Sequence, residues 1–400
     1  MSDTRPDDPK KKDNLYVILA LQGGGALGAF QVGAYQALSQ YGYEPDWVAG
    51  ISIGAINASI IAGNKKKDRL HKLFKFWDLV AGDLDWWERI PNYWEKLTNV
   101  WRVSLSTVGG VSGFFRPNYI PAPLADPNSA EASSWYNTDN LKATLEDGLI
   151  DWEFLKNCES EDHVRLSLGA TRVFGGESKT FQNFPSPNPV GPDDRYTEIK
   201  VDHIMASGAL APWFPGVWIP QAKAPRQKEL YWDGGITSNS SFKLIIEDLP
   251  AIHQTIRNKD VAIFVIDLWG TFEREPKTFD EVCWRIKQTQ YSSRIEQDIR
   301  YAREVISRAR LLDGTATSRR IDTIRITYRS HPNEIPCGDA LFSRTEIDRR
   351  RRDGYAAMRY RLETKPLPWE LPFEGLSEEH HKYFQTPENF QKARCAIHLF

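Results

Sequence analysis

Apolar runs and helically spaced apolar positions alternate along the first part of the chain. The run Leu15–Leu21 is apolar and β-prone, which predicts a buried strand. A glycine turn at 23–28 follows, and apolar residues then recur at helical spacing from Phe30 to Leu38. The segment Trp47–Ala58 repeats the order of strand, tight turn and helix. In a parallel sheet with right-handed crossovers both turns lie at the carboxyl edge of the strands, so we expect them to face one another.

The same kinds of pattern predict further elements downstream. The predicted strands are Val164–Val173, Leu230–Trp232, Val261–Leu268 and Ile324–Tyr328. The predicted helices are Lys65–Asp78, His203–Leu210, Ile295–Ala309 and one that begins at the capping box Ser343–Glu346. The arginines at 349–352 on this last helix, and those around 295–309, are predicted to lie on solvated helix faces. An anionic membrane surface or a partner protein is the less favoured hypothesis for them.

The second glycine turn has the pattern Gly-x-Ser-x-Gly, with Gly50, Ser52 and Gly54. A strand, a sharp turn and a helix are the context that a nucleophile elbow requires. The two glycines allow the strand and helix to approach where a Cβ would not fit. Ser52 would project its hydroxyl at the N-terminus of a helix whose dipole favours negative charge. An ordinary helix N-cap is the alternative, and the flanking pattern favours the nucleophile.

The first glycine turn supports two hypotheses. Its backbone N–H groups can cradle a phosphate, as in dinucleotide-binding folds, or stabilise an oxyanion during acyl transfer. Gly23, Gly25 and Gly28 do fit G-x-G-x-x-G, but the ribose-binding acid would have to be Glu44 or Asp46. Asp46 opens the strand before Ser52, which is not the usual position of that acid. The pattern therefore favours the oxyanion hypothesis.

A serine nucleophile needs a base that accepts its proton. Asp233 follows a predicted strand and precedes Gly234 and Gly235, which indicates a tight turn where backbone can approach closely. A Ser-Asp-His triad would need a later histidine, and no candidate lies in a strand-end loop with an obvious turn pattern. The candidates are His253, His331, His380, His381 and His398. The alternative is an Asp bonded directly to the Ser52 hydroxyl, with a pKa raised by desolvation.

Composition narrows the classes of function. The 400 residues carry a net charge of −2, which argues against a nucleic-acid-binding protein. No apolar run reaches the roughly eighteen residues of a membrane span, and the polar stretch 1–14 predicts a disordered tail rather than a signal peptide. The cysteines form no C-x-x-C pair, so we predict neither a zinc site nor a disulfide framework. Reduced thiols in a cytoplasmic protein are the simplest explanation. They are Cys158, Cys283, Cys337 and Cys395.

Tryptophans crowd the segment 77–135, where periodicity is poor and prolines are frequent. One hypothesis is a cap whose aromatic side chains pack on the core. A compatible hypothesis is a lid or acyl-binding wall that also contacts lipid, because tryptophan favours the boundary between apolar and aqueous surroundings. The tryptophans concerned are Trp77, Trp86, Trp87, Trp94, Trp101 and Trp135.

Three motifs, in order along the chain, resemble those of the patatin-like phospholipases. They are Gly-Gly-Gly-Ala-Leu-Gly at 23–28, Gly-Ile-Ser-Ile-Gly at 50–54 and Asp-Gly-Gly at 233–235. The stretches 206–210 and 232–239 are also similar to that family. The resemblance implies a three-layer α/β/α sandwich with a mostly parallel sheet. It also implies lipid acyl hydrolysis by a Ser-Asp dyad without histidine.

Carried over to this sequence, the resemblance implies that Ser52 is the nucleophile and Asp233 the base. It implies oxyanion donors from Gly23, Gly24 and Gly25, and we expect neither a metal nor a cofactor. The other motif glycines, which support the turns, are Gly28, Gly50, Gly54, Gly234 and Gly235. The family usually carries Arg or Lys where this chain has Leu27. Without that positive charge, neutral lipids or a hydroxyalkanoate polyester join phospholipids as candidate substrates.

The predicted organisation is a tail at 1–14, an acyl hydrolase domain at 15–270 and a helical extension at 271–400 packed on it. The aromatic segment 77–135 is predicted to be a lid or cap inserted in the hydrolase domain. The expected partner is a lipid or lipid-like ester, with peripheral membrane contact as an additional hypothesis and no nucleic acid. Two hypotheses of other classes are a binding or scaffold protein on a degenerate hydrolase fold, and a nucleotide-binding protein. The intact serine, aspartate and triple glycine argue against the scaffold.

Overall fold

The structure is a computed structural model that describes most of the chain in separate ranges. These are 15–81, 109–157, 160, 162–184, 197–221, 224, 226–246, 248, 259–270, 275–279, 281–292, 297–298, 301, 321–330, 338–364 and 367. The predicted tail at 1–14, residues 82–108 of the aromatic segment and most of the predicted helix Ile295–Ala309 lie outside the described residues.

The apolar runs form the parallel part of one central sheet. Strand β1 (Leu15–Leu21) pairs in parallel with β2 (Trp47–Ile51) on one side and with β9 (Asp260–Asp267) on the other. Strand β10 (Ile321–Thr327) continues the parallel pairing beyond β9, and β5 (Arg165–Arg172) continues it beyond β2. The central strands are buried along almost their whole length, which explains why they are nearly continuous apolar runs in the sequence.

One end of the sheet is antiparallel. Strands β6 (Glu177–Gln182) and β8 (Lys228–Asp233) each pair antiparallel with β5, and β7 (Val217–Pro220) pairs with β8. The order across the sheet is β10-β9-β1-β2-β5-β8-β7, with β6 also beside β5. Two short strands, β3 (Arg116–Pro117) and β4 (Tyr136–Asn137), form a separate ribbon. The predicted mostly parallel sheet is confirmed.

Helices cover both faces of the sheet. Alternate residues of β1 enter two hydrophobic cores, Leu19 and Leu21 the larger one and Ile18 and Ala20 the smaller one. This three-layer α/β/α arrangement is the predicted fold class. The helices are α1 (Ala29–Gln40), α2 (Ile53–Ala62), α3 (Lys66–Val80), α4 (Asp139–Glu146), α5 (Trp152–Lys156), α6 (Val201–Ser207), α7 (Ser241–Ile246), α8 (281–292) and α9 (Arg344–Glu363). No helix in the described ranges is both long and apolar enough to cross a bilayer.

The segment beyond residue 270 shares the sheet and the larger core. It contributes β10 to the sheet, and α9 packs along α1 with the two backbones almost touching. A Cβ on Gly33 would overlap the carbonyl of Arg351, and a Cβ on Gly354 would overlap that of Phe30. The predicted C-terminal extension therefore contains a strand of the central sheet as well as helices.

Two local predictions about α9 are wrong. The helix begins where the capping box predicts, but the Ser343 hydroxyl is buried without a hydrogen-bond partner and caps nothing. The Glu346 carboxylate pairs with Arg349 and Arg350 instead of reaching back to the helix start. Arg350 is fully buried rather than solvated, because it donates to the carbonyls of Leu341 (3.1 Å) and Gly338 (2.8 Å).

The described part of the aromatic segment contains side chains of two kinds. Phe114 and Phe115 are buried and contact the ring of Phe214, with centroids 6.0 and 5.3 Å away. Tyr119 and Leu124, in contrast, are 91% and 78% exposed. This part of the chain therefore covers core and also presents apolar surface.

We predict that a chain ending at Gly270 does not fold. Its loss of β10 and α9 would expose the edge of β9 and the apolar face of α1, both of which are buried in the intact chain. The measurement is soluble yield together with a thermal unfolding transition by circular dichroism. A chain lacking residues 1–14 is the control, and it should melt as the full chain does. A soluble, cooperatively melting 1–270 fragment would contradict the prediction.

Candidate active site

A change of strand partner along β5 brings Ser52 and Asp233 together. Ile51, the last residue of β2, is paired with Gly169 of β5. The next residue of β5, Ala170, is paired with Asp233, the last residue of β8. Strands β2 and β8 thus run towards each other along the same side of β5, because β6 occupies the other side. Ser52 directly follows β2, so the two predicted catalytic residues lie where the strands meet.

Ser52 has the backbone conformation of a sharp strand-to-helix turn. Its φ of 56° and ψ of −127° make it the only non-glycine residue with positive φ in the described ranges. Such a conformation persists only where the surroundings enforce it, and it is typical of functional sites. The glycines on either side permit it, because a Cβ on Gly50 would overlap Gly54, and one on Gly54 would overlap the Leu21 carbonyl.

Ser207, at the end of α6, connects Ser52 to β5. The Ser52 N–H donates to Ser207 Oγ (3.1 Å), and the Ser207 hydroxyl donates to the carbonyl of Gly169 (2.6 Å). This carbonyl lies at the position where β5 changes partners. Ser207 therefore joins the strained turn to the strand against which both catalytic candidates are aligned.

Asp233 is a buried carboxylate with few partners. It is 2% exposed, its Oδ1 accepts from the N–H of Gly235 (2.7 Å), and the Ser52 hydroxyl is near enough to donate to it. Burial raises the pKa of Asp233 from 3.8 to about 6, against the lowering effect of the Ser52 and Gly235 hydrogen bonds. A carboxylate with this pKa accepts a proton more readily than one in water.

The first glycine turn lies beside Ser52, but its three glycines are not equivalent. A Cβ on Gly23 would be 2.9 Å from the Cβ of Ser52. The Gly23 N–H donates to Asn239 Oδ1 (3.1 Å), so this predicted oxyanion donor is already occupied. The N–H groups of Gly24 and Gly25 have no acceptor in the described part of the chain, and both residues are partly exposed. The donors of the turn without an acceptor among the described residues are therefore those of Gly24 and Gly25, which directly follow the glycine that adjoins Ser52.

The remaining motif glycines lie at close contacts around these turns. Gly28 faces Ile53 and Trp77, Gly234 lies against the carbonyl of Gly169, and Gly235 supplies the N–H that Asp233 accepts. Gly25 has a φ of 54°, in the left-handed region that favours glycine, and it faces the backbone of residue 339. A Cβ on Gly25, Gly28 or Gly234 would overlap backbone or core atoms, and a Cβ on Gly235 would crowd the side-chain oxygens of Asp233 and Asn239.

The acids that the dinucleotide hypothesis requires are engaged elsewhere. Glu44 accepts from Tyr35 (3.0 Å) and Arg69 (2.8 Å), all in the interior, and Asp46 accepts from the Val17 N–H (2.8 Å). Neither carboxylate is therefore free to bind a ribose at the glycine turn. Within the described ranges, no three His, Cys, Asp or Glu side chains converge as metal ligands would.

The five histidines proposed for a triad lie outside the described residues. Among the described histidines, none is hydrogen-bonded to Ser52 or Asp233. Of the cysteines, Cys283 is described and is a free thiol, and the other three lie outside the described ranges.

Sequence reasoning missed three residues that support the site, namely Ser207, Asn239 and Trp269. The first two lie in the stretches 206–210 and 232–239, which already resembled the family, but no role had been assigned to them. Trp269 donates from Nε1 to the carbonyl of Gly23 (2.7 Å). No pattern around Trp269 predicted this contact, because it joins residues 246 positions apart in the sequence.

Comparisons with known proteins agree with the site motifs. The sequence model of the family described as Patatin-like phospholipase matches residues 19–246, which is more than half of the chain. A second one, described as Patatin phospholipase, matches residues 303–372. No curated protein matches the chain significantly. Among solved structures, the chain is similar to VipD from Legionella pneumophila, with 16% identity and a TM-score of 0.36, over 90% of this chain and 71% of that one.

The raised pKa of Asp233 predicts that ionisation of this buried carboxyl group lowers the stability of the folded chain. The folded chain holds this proton up to about pH 6 and the unfolded chain loses it near pH 4, so stability falls as pH rises through that window. We predict that Asp233→Asn is more stable than the wild type at pH 7.5, by on the order of 1–3 kcal/mol. The difference should vanish near pH 4, and urea unfolding at both pH values measures it.

Asp267→Asn is the matched control for Asp233→Asn. Asp267 is equally buried, but it pairs with Arg325, whose Nε donates at 2.9 Å. Its replacement removes the negative charge that pairs with Arg325 and should destabilise the chain at pH 7.5. An Asp233→Asn variant that is less stable than the wild type at pH 7.5 would contradict the prediction.

Proposed function

Because the chain belongs to the patatin-like phospholipase family, we propose that it hydrolyses lipid acyl esters with Ser52 as nucleophile and Asp233 as base. Lipid acyl hydrolysis is the general activity that membership of this family supports. The observation that carries the proposed dyad is the end-to-end meeting of β2 and β8 on β5, which aligns the Ser52 hydroxyl with a buried carboxylate. No third side chain is needed for the proton transfer.

In the proposed acylation step, Ser52 Oγ attacks the ester carbonyl while its proton moves to Asp233. The carbonyl oxygen becomes an oxyanion, which the N–H groups of Gly24 and Gly25 stabilise, together with the positive end of the α2 dipole. The tetrahedral intermediate then expels the alcohol, which leaves with the proton from Asp233. The acyl group remains bonded to Ser52.

In the proposed deacylation step, a water molecule replaces the alcohol. Asp233 accepts a proton from this water as its oxygen attacks the acyl carbonyl. The same glycine N–H groups stabilise the second oxyanion. Collapse of the intermediate returns the proton to Ser52 and releases a carboxylic acid, so the enzyme is restored.

We extend the proposal to the organisation of the enzyme. The described residues on both sides of position 270 would form one catalytic unit, which the shared sheet and the α1–α9 contact support. Exposed apolar side chains at Tyr119, Ile120 and Leu124 support contact of the aromatic segment with a lipid surface. A cytoplasmic location, with the thiols reduced, is also part of the proposal.

We predict that Ser52→Ala and Asp233→Ala each reduce ester turnover by about 10³-fold or more, because each removes a group that takes part in bond formation or proton transfer. Ser52→Ala should also abolish labelling by a fluorophosphonate probe, since only an activated serine reacts with it. The measurements are p-nitrophenyl ester hydrolysis and gel detection of the probe.

Ser59→Ala is the control for the labelling experiment. Ser59 lies on α2, the helix that begins directly after Ser52. It is fully buried, and its hydroxyl donates to the carbonyl of Ala55 (2.8 Å). This variant should keep full labelling. Full activity in either dyad variant would contradict the proposal. A wild-type chain that is folded yet neither labelled nor active would favour the binding or scaffold function instead.

Leu27 favours neutral esters as the substrate class. It is fully buried, and it occupies the position where the resemblance to the family leads us to expect a basic residue. Without that charge beside the oxyanion turn, an anionic head group gains no attraction there. We therefore expect triacylglycerol or short hydroxybutyrate esters to be hydrolysed at least as fast as an anionic phospholipid. A panel of these three substrates, assayed at equal acyl concentration, tests this, and a clear preference for phospholipid contradicts it.

A further inference from the structure

The carbonyl of Gly23 receives two side-chain hydrogen bonds in the interior. Asn239 Nδ2 donates to it at 3.0 Å and Trp269 Nε1 at 2.7 Å. Asn239 also accepts from the Gly23 N–H at 3.1 Å, so its amide binds Gly23 at two points. Both side chains are almost completely buried, at 3% and 2% exposure. They occupy one side of the peptide that joins Gly23 to Gly24.

The orientation of this peptide determines what the turn presents to a substrate. A trans peptide is planar, and its N–H points opposite to its C=O. With the Gly23 carbonyl held by Asn239 and Trp269, the Gly24 N–H must point away from them, and it has no acceptor in the described part of the chain. A flipped peptide would present a carbonyl oxygen instead and would repel an oxyanion. Two adjacent glycines resist such a flip only weakly.

We propose that Asn239 and Trp269 are positioning residues that lock the 23–24 peptide so that the Gly24 N–H faces the developing oxyanion. The inference rests on the proposed acyl hydrolase function and adds two residues to it. Neither side chain touches the reacting atoms. Each acts through the Gly23 carbonyl, so the effect of each should appear where charge develops on the substrate oxygen.

Trp269 is itself fixed from three directions. Its backbone N–H donates to Asp267 Oδ1 (3.0 Å), and Asp267 is paired with Arg325 of β10. Its ring contacts the rings of Trp284 and Tyr291 of α8, with centroids 5.3 and 4.9 Å away. Residues beyond 270 therefore support this indole, in addition to the direct contact of residue 339 with Gly25 of the turn.

The test compares an oxoester with its thionoester on Trp269→Phe. Sulfur is a much weaker hydrogen-bond acceptor than oxygen, so the thionoester gains little from a well-placed N–H. Because phenylalanine keeps most of the ring but removes Nε1, kcat for the oxoester should fall by about 10- to 100-fold with KM nearly unchanged. The thionoester should lose less than about threefold, so the oxoester-to-thionoester ratio falls. This ratio is independent of the folded fraction of the sample.

Trp284→Phe is the matched control. Its indole lies in the same aromatic cluster, but its Nε1 donates to Ser330 Oγ (3.3 Å) and not to the turn. The ratio should be unchanged in this variant. Asn239→Ala is the second test variant, and it should lower the ratio as Trp269→Phe does, because it removes the other donor to the Gly23 carbonyl.

Three results would overturn the inference. The first is an active wild type whose ratio is unchanged in both Trp269→Phe and Asn239→Ala. The second is an equal fall of the ratio in Trp269→Phe and Trp284→Phe, which would assign the effect to ring packing. The third is a wild-type chain that hydrolyses neither ester, in which case the proposed function fails and the inference fails with it. The first two leave the acyl hydrolase function intact, so the two failures are distinguishable.

Discussion

The site depends on a change of partner in one strand. Between Gly169 and Ala170, β5 stops pairing with β2 and starts pairing with β8, and the two partners end there from opposite directions. At a strand end the backbone leaves the hydrogen-bonded sheet, and side chains there can take part in a functional site. By placing two strand ends on consecutive residues of a third strand, the fold aligns a hydroxyl and a carboxylate that are far apart in the sequence. The backbone register determines this alignment, and no long flexible side chain is involved.

The same arrangement makes the site costly to maintain. Ser52 has a backbone conformation that non-glycine residues avoid, and Asp233 is a carboxylate with almost no contact with water. Each feature disfavours folding by an amount comparable with the effect of a typical point mutation. Both costs are offset by the surrounding large core, in which β1, β2 and β9 are buried on both faces. Such a site therefore needs a large, rigid scaffold.

Much of the fold and of the site could be predicted from the sequence for physical reasons. Strand β1 was predicted with its observed bounds, because strands buried on both faces are continuous apolar runs. The tight strand-to-helix turn at Ser52 was predicted because such a turn needs glycines at fixed positions. The Ser343 cap was wrong, and so was the solvated position of Arg350, since local patterns do not reveal that this side chain is enclosed by the backbone carbonyls of Gly338 and Leu341. The hydrogen bond that occupies the Gly23 N–H could not be predicted from the sequence for the same reason. Its acceptor, Asn239, is 216 residues away along the chain.

The position of β10 and Trp269 late in the chain has a consequence for synthesis on the ribosome. Translation delivers Ser52 and its glycine turns first and Asp233 much later, but Trp269 and its anchor Arg325 are added only afterwards. An emerging chain therefore contains Ser52, the proposed nucleophile, before the side chains that hold the Gly23 carbonyl have been added. The complete arrangement of the proposed site can therefore form only after Arg325 has left the ribosome.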